Sequence, residues 1–302
     1  MFFYPINCKF GYYSSICNGE QIPRFLQKWR GFIILSRPVN VVISFLSILV
    51  AITICGWSTW EHALFACLTG AFITAAANAI NDVYDLEIDR INRPNRPLPK
   101  GVITPREALV FSIIFFLLGV TSSAFINTAT LIIAFLFSVL LYLYSASFKR
   151  KVLIGNLTVS LATAFAFIYG GLAVGHVENA LFPAIFAFLM HFGREIIKDM
   201  EDVQGDQKEG AQTLPIRYGQ RPALILATIL AFALIVFIQI PFVLKIYGTW
   251  YLIVVNVGVT TVMLYTIFAM LSKPKRSTFR LLSALLKADM FVGLMAIYLG
   301  RY

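Results

Sequence analysis

The chain has 302 residues, 59% of them hydrophobic and only 13% charged, and its mean hydropathy is +0.78. These values exclude a soluble globular protein and lead to the expectation of an integral membrane protein. The net charge of +10 reads as affinity for membrane surfaces and phosphate groups, not for nucleic acid.

Residues 1–31 mix aromatics with Lys9, Arg24, Lys28 and Arg30 and lack the continuous apolar core of a secretion signal, so they read as a cytoplasmic lead-in. Residues 32–302 are expected to form one transmembrane domain. Apolar runs able to cross a bilayer of about 30 Å fall at 32–56, 62–82, 107–126, 128–147, 152–175, 179–199, 222–244, 249–271 and 281–300, which predicts nine helices. Arg37-Pro38 opens the first. Asn40 and Ser44 lie one turn apart on it, and Asn40 either lines a site or bonds a neighbouring helix.

The second run ends in NAINDVYDLEIDRINRPNRPLPKG, residues 78–101. At about 100° per residue, Asn78, Asp82, Asp85 and Asp89 share one helix face and Glu87 points away. Arg90, Arg93, Arg96 and Lys100 follow, broken by Pro94, Pro97 and Pro99. Their guanidinium forks suit phosphate oxygens, and the bland reading is that they fix topology. Thr104-Pro105-Arg106-Glu107 is a capping box with Pro at the first helical position, which predicts the start of helix three. Helices three and four contain almost no ionisable groups until YLYSASFKRK, where Lys149 is the preferred phosphate ligand. Tyr142 there is either an interfacial belt residue or a substrate contact.

In helix six His191 lies one turn before Glu195 and is expected to hydrogen-bond it. Glu195, Asp199, Asp202 and Asp206 then repeat the spacing of Asn78, Asp82, Asp85 and Asp89, flanked by Arg194 and Lys198. Of the 15 acids, ten lie in residues 82–89 and 195–209. Like charges about 5 Å apart repel by roughly 3 kcal/mol per pair at an effective dielectric near 20. Such crowding calls for a shared cation, and hard oxygens on two facing helices suit Mg²⁺. The bland alternative, solvated helix ends, explains neither the repeat nor its placement after apolar runs.

Lys287 and Asp289 in the last helix are the intramembrane charges away from these clusters, and no role follows for them from the sequence. Cys8, Cys17, Cys55 and Cys67 form no CxxC pair, so neither a disulfide framework nor a zinc site is expected. With the N-terminus cytoplasmic, 22 of the 25 Lys and Arg fall on the cytoplasmic side, all but Lys245, Lys287 and Arg301. Both acidic clusters then face the cytoplasm from a multi-pass protein of the cell membrane.

The pair NDVYDLEID and KDMEDVQGD, set in nine predicted spans, resembles the intramembrane UbiA-type prenyltransferases over nearly the whole chain. The resemblance implies an all-α, polytopic bundle of about nine transmembrane helices around a central cavity, with a cytoplasmic-side active site. It implies Mg²⁺ as cofactor, held by Asn78, Asp82, Asp85, Asp89, Asp199, Asp202 and Asp206. Asp82, Asp85, Asp199, Asp202 and Lys149 are the expected catalytic groups. Asn40, Asn78, Arg93, Arg96, Lys100, Tyr142, Lys149, Arg194 and Lys198 are the expected substrate contacts.

The implied partners are an isoprenyl diphosphate donor, with geranylgeranyl diphosphate foremost, a lipid-like acceptor and the membrane lipids, with no nucleic acid. REIIKDMEDVQGDQKEGAQTLP looks most like the branch that moves a geranylgeranyl group to geranylgeranylglyceryl phosphate. Prenylation of an aromatic acid in quinone synthesis, or of a chlorophyllide-like acceptor, is the alternative. A cation-coupled transporter fits less well, because the acids lie at helix ends on one side and not at the midplane.

Overall fold

The computed structural model describes residues 23–208 and 210–300, with only the backbone at Asn92. The lead-in as far as residue 22, with Cys8 and Cys17, lies outside the described residues. Among those described, nine helices are long and apolar enough to cross a membrane.

Helix α1 (Arg24–Ser36) stops at Arg37, which has φ 53°. Pro38 is the cause, since its ring bars the preceding residue from the right-handed helical region. The apolar run 32–56 is therefore not one span: α1 takes its first part and α2 (Pro38–Cys55) crosses the membrane. Helix α3 (Trp60–Tyr84) is followed directly by the short α4 (Leu86–Asn92). Next come α5 (Pro105–Ala124), which starts at the expected Thr104–Glu107 capping box, and α6 (Thr128–Ala146), opened by Asn127. Helix α7 (Ile154–Val174) packs along α2 and along α8 (Leu181–Lys208).

Helix α8 is the longest element at 28 residues, about 42 Å at 1.5 Å per residue. It is longer than a hydrocarbon core of about 30 Å, and the second acidic motif occupies its last turns, at and beyond the end of the apolar run. The apolar run predicted to end at 199 continues as helix to Lys208, through polar residues with no proline, and Gly210 follows in the left-handed region. After α9 (Leu214–Tyr218), α10 (Gln220–Phe237) and α11 (Ile240–Val243) share one span. In the next span α12 (Thr249–Val255) is joined to α13 (Thr261–Leu271) by a π-turn at 256–260. Helix α14 (Arg276–Leu299) closes the bundle against α8 and α12.

Small residues set the close helix approaches. A Cβ on Gly170 of α7 would lie 2.6 Å from Ala51 Cβ and 2.8 Å from the Ile48 carbonyl oxygen, so only glycine lets α2 and α7 meet there. Across α3 and α5, Ser112 donates to the Ala76 carbonyl at 2.9 Å and Thr69 to that of Gly119 at 3.2 Å. The outer faces are apolar and bare: Val257 is 74% exposed, Phe268 69% and Phe232 61%. Surfaces of this kind are matched by lipid, not water, and the chain is a multi-pass membrane protein. A cavity opens between α2, α3, α6, α7, α8 and α14, with polar groups at one end and Ile48, Ile73, Phe137 and Phe165 along its body.

Candidate active site

The first acidic motif is built across a helix junction, not on one continuous helix. Asp85 caps α3 with φ −93° and ψ 6°. Its N–H still reaches the Asn81 carbonyl at 2.9 Å, and Asp89 N–H reaches that of Asp85 at 2.8 Å, so the helical register survives the break. Asp82, Asp85 and Asp89 are 3%, 5% and 4% exposed, while Glu87 turns out to solvent against Arg90. The shared face inferred from spacing is therefore present.

Counter-charge comes from the chain itself. Asp82 accepts from Arg37 and, at 3.1 Å, from Arg96; Arg96 also donates to Asp89. Asp85 accepts from Lys149 and, at 2.7 Å, from the Asn81 amide. Repulsion among the acids is thus relieved by guanidinium and ammonium groups, where crowding alone had suggested a shared metal ion. Burial pushes the Asp85 carboxyl up, but the Lys149 charge, with Arg37 and Lys198 beyond it, outweighs burial and holds Asp85 below the usual carboxylate value. At Asp89 burial wins, despite Arg96, and its affinity for protons is raised.

The second motif lies along α8. Asp199 accepts from the Asn156 amide at 2.8 Å, and Asp202 from Arg93 at 3.4 Å. Glu195 accepts from Arg194 at 2.8 Å and from Lys198 at 3.1 Å. The expected His191–Glu195 hydrogen bond is not formed; Arg194 and Lys198 are the donors to Glu195, and His191 lines the cavity. Asp85, Lys149, Asn156, Asp199 and Asp206 share a smaller pocket, so the two motifs meet there. Gly155 makes room for this: a Cβ on it would come within 2.8 Å of Lys149 Cα, so glycine lets the 148–151 turn rest on the start of α7.

Asn40 donates to Asn78 at 3.2 Å, and Asn78 donates to the Ser36 carbonyl at 2.9 Å, so both line the cavity while tying α1, α2 and α3 together. Two expected contacts lie elsewhere. Lys100 is exposed on the proline-broken loop, and Tyr142 is on the outer surface, where Tyr84 donates to it at 3.0 Å. Tyr144, two residues on and about 200° around the helix, lines both pockets. Arg37, Asn81 and Asn156 were not among the expected site residues. Arg37 precedes a proline, and Asn156 is a lone amide in an apolar helix, which is the signal that could have found it.

The donor set suits a hard cation. Asn81 Oδ1 is a buried oxygen without a hydrogen-bond partner, on the residue whose amide bonds Asp85. With Asp85, Asp199 and Asp206 it offers the oxygen chemistry that Mg²⁺ takes. Among the described residues no three acids stand close enough to grip an ion as they are, since bases lie between them.

The digeranylgeranylglyceryl phosphate synthase of Methanocaldococcus jannaschii is 38% identical over 76% of this chain and 80% of its own length. A solved structure of a digeranylgeranylglyceryl phosphate synthase covers 91% of this chain and 99% of its own, with 36% identity and a TM-score of 0.71. A UbiA homolog from Archaeoglobus fulgidus bound to GPP and Mg²⁺ covers 88% of this chain and 99% of its own, with 24% identity and a TM-score of 0.67. Residues 41–294 match the model of the UbiA prenyltransferase family. From the α2 helix that borders the cavity to the α14 helix that closes it, this chain belongs to the UbiA prenyltransferase family.

Proposed function

We propose that this prenyltransferase moves a geranylgeranyl group from geranylgeranyl diphosphate to the free hydroxyl of geranylgeranylglyceryl phosphate, at a site facing the cytoplasm of the cell membrane. The observation that carries this reading is the meeting of both aspartate motifs in one pocket beside the polar end of an apolar cavity. The relatives named for that reaction support the choice of acceptor, and the one-sided distribution of Lys and Arg supports the orientation.

The reaction breaks the C1–O bond of the donor, and its electron pair leaves with the diphosphate. The acceptor hydroxyl oxygen gives a pair to C1, forming an ether, and loses its proton, so ether, diphosphate and a proton are the products. Bound Mg²⁺ would supply charge neutralisation for the leaving diphosphate, held by Asp85, Asp199, Asp206 and Asn81 Oδ1, with Asp82, Asp89 and Asp202 beside them. Lys149, Arg93 and Arg96 are the bases suited to grip the same anion as charge develops on it. The cavity body, lined by Phe137, Phe165 and Tyr169, would keep water from an allylic cation and supply aromatic rings to stabilise it. Lys100 and Tyr142 drop out of the proposed substrate contacts and Tyr144 enters.

A competition assay tests this. Purified protein with Mg²⁺ and geranylgeranyl diphosphate, offered geranylgeranylglyceryl phosphate and 4-hydroxybenzoate together, is expected to put the group on the glyceryl phosphate. Product on the aromatic ring alone would overturn the acceptor assignment.

A further inference from the structure

The charges around the cavity are unevenly matched. On the aspartate side, among the described residues, Asp82, Asp85, Asp89 and Asp202 are ion-paired with Arg37, Arg93, Arg96 and Lys149, and Asp199 and Asp206 stand with them. That half is short of positive charge, as a cation site should be. On the α8–α14 side the imbalance is reversed. Arg194 and Lys198 share the single carboxylate of Glu195, and Lys287 has no acidic partner among the described residues.

Lys287 lies in a membrane-spanning helix, where an unpaired ammonium is costly and faces a cavity or marks a function. The geometry gathers these bases. Arg194 Nε donates to the Ser283 carbonyl on α14 at 3.1 Å, and Lys287 is one turn further along α14 on the same face. Side chains of a helix lean towards its N-terminus, so Lys287 leans back over the turn that Arg194 touches. Arg194, Lys198 and Lys287 all line the main cavity. Beside them a second apolar pocket, with Phe186, Met190, Tyr251 and Leu294, shares Ile43, His191 and Met290 with the first.

We propose that Arg194, Lys198 and Lys287 form a second anion site that binds the phosphate monoester of the acceptor, apart from the aspartate pocket that takes the donor diphosphate. A phosphate monoester carries about −1.5 to −2 charges near neutral pH, which matches two bases in excess of Glu195. Three donors on two helices fit its oxygens, and the adjoining apolar pocket offers room for a chain attached to the same molecule. Glu195 is then a positioning residue: it holds Arg194 and Lys198 apart at a spacing that leaves their other N–H groups for the ligand. The inference rests on the acceptor being a phosphorylated lipid.

The test compares wild type and Lys287→Met with geranylgeranyl diphosphate as donor and either geranylgeranylglyceryl phosphate or its dephosphorylated alcohol, geranylgeranylglycerol, as acceptor. Wild type is expected to favour the phosphorylated acceptor. Lys287→Met is expected to raise the KM for that acceptor about ten-fold to a hundred-fold, the range for loss of one charge-assisted bond. Its donor KM should stay within about two-fold, and its preference over the alcohol should shrink. Lys287→Arg should restore most of the preference. An unchanged acceptor KM in Lys287→Met, with wild type active on the phosphorylated lipid, overturns this site and leaves the proposed function standing. A donor KM raised by the same factor also overturns it, by placing the donor diphosphate here. Wild type that transfers equally well to the alcohol overturns the site, and wild type inactive with both acceptors overturns the proposed function with it. Should Lys287→Met not fold, Arg194→Gln and Lys198→Gln, each of which removes one positive charge, give the same reading with the same two acceptors, and unchanged acceptor preference in both overturns the site.

Discussion

Replacing Asp85 with Asn separates chemistry from folding. Asp85 is 5% exposed, and its Oδ2 accepts from Lys149 and Asn81. Asn keeps the shape and one acceptor oxygen and removes the charge. Losing a charge-assisted hydrogen bond costs about 1.5–3 kcal/mol. Relief from burying a carboxylate offsets part of this, so stability should fall by less than about 2 kcal/mol. Catalysis should suffer more. Asp85 would act through the Mg²⁺ it helps to hold, and a clamp that neutralises developing charge is worth about 3–4 kcal/mol, which at about 1.4 kcal/mol per factor of ten is roughly a hundred-fold to a thousand-fold in kcat. The assay is kcat at saturating donor and acceptor in detergent, with size-exclusion and thermal melting as folding controls. Glu87→Gln is the matched control: its side chain is 61% exposed beside Arg90, a pair worth about 0.2–1 kcal/mol, and kcat should stay within about two-fold. A folded Asp85→Asn protein with kcat near wild type, or a Glu87→Gln loss as deep, would refute the assignment of the buried face to the reaction.

Asn156→Ala removes the 2.8 Å hydrogen bond that orients Asp199; the Mg²⁺ concentration for half-maximal turnover should rise about 10–100-fold, and an unchanged value would sever Asn156 from the metal site. Tyr142→Phe should leave kcat/KM within about two-fold, as expected of an exposed residue, whereas Tyr144→Ala should lower it about ten-fold or more by opening the cavity wall; the reverse order would show that the cavity is not where transfer occurs. Gly170→Val forces a Cβ to within 2.8 Å of the Ile48 carbonyl oxygen, and overpacking of about 1–3 kcal/mol should lower the thermal inactivation temperature; an unaltered melting profile would mean that α2 and α7 do not pack so closely.

The nine spans were readable because hydropathy is a property of each run by itself, and the Thr104–Glu107 box fixed the start of α5 for the same local reason. The repeated acidic spacing likewise marked the two motifs that meet in one pocket. What required the fold was the pairing between elements. Spacing put Asp82, Asp85 and Asp89 on one face, but not Arg37 against Asp82 or Lys149 against Asp85, contacts that join residues 45 and 64 positions apart. Tyr142 and Tyr144 look alike in the sequence, and two residues turn a helix by about 200°, so only the packing of α6 decides which one faces the cavity. Lys287 had no legible role because a lone base in an apolar helix states a cost without naming its partner. The break at Arg37 was marked by Pro38, yet the apolar residues on both sides made 32–56 look like one run.

The most direct test is a crystal or cryo-EM structure with Mn²⁺ in place of Mg²⁺ and a non-hydrolysable geranylgeranyl diphosphate analogue, with the metal located by anomalous scattering or density. Metal is expected between Asp85 at the α3–α4 junction and Asp199 or Asp206 of α8, touching the diphosphate. Metal bound to the acids of one motif alone, or a diphosphate held by bases with both aspartate sets still ion-paired, would contradict this placement.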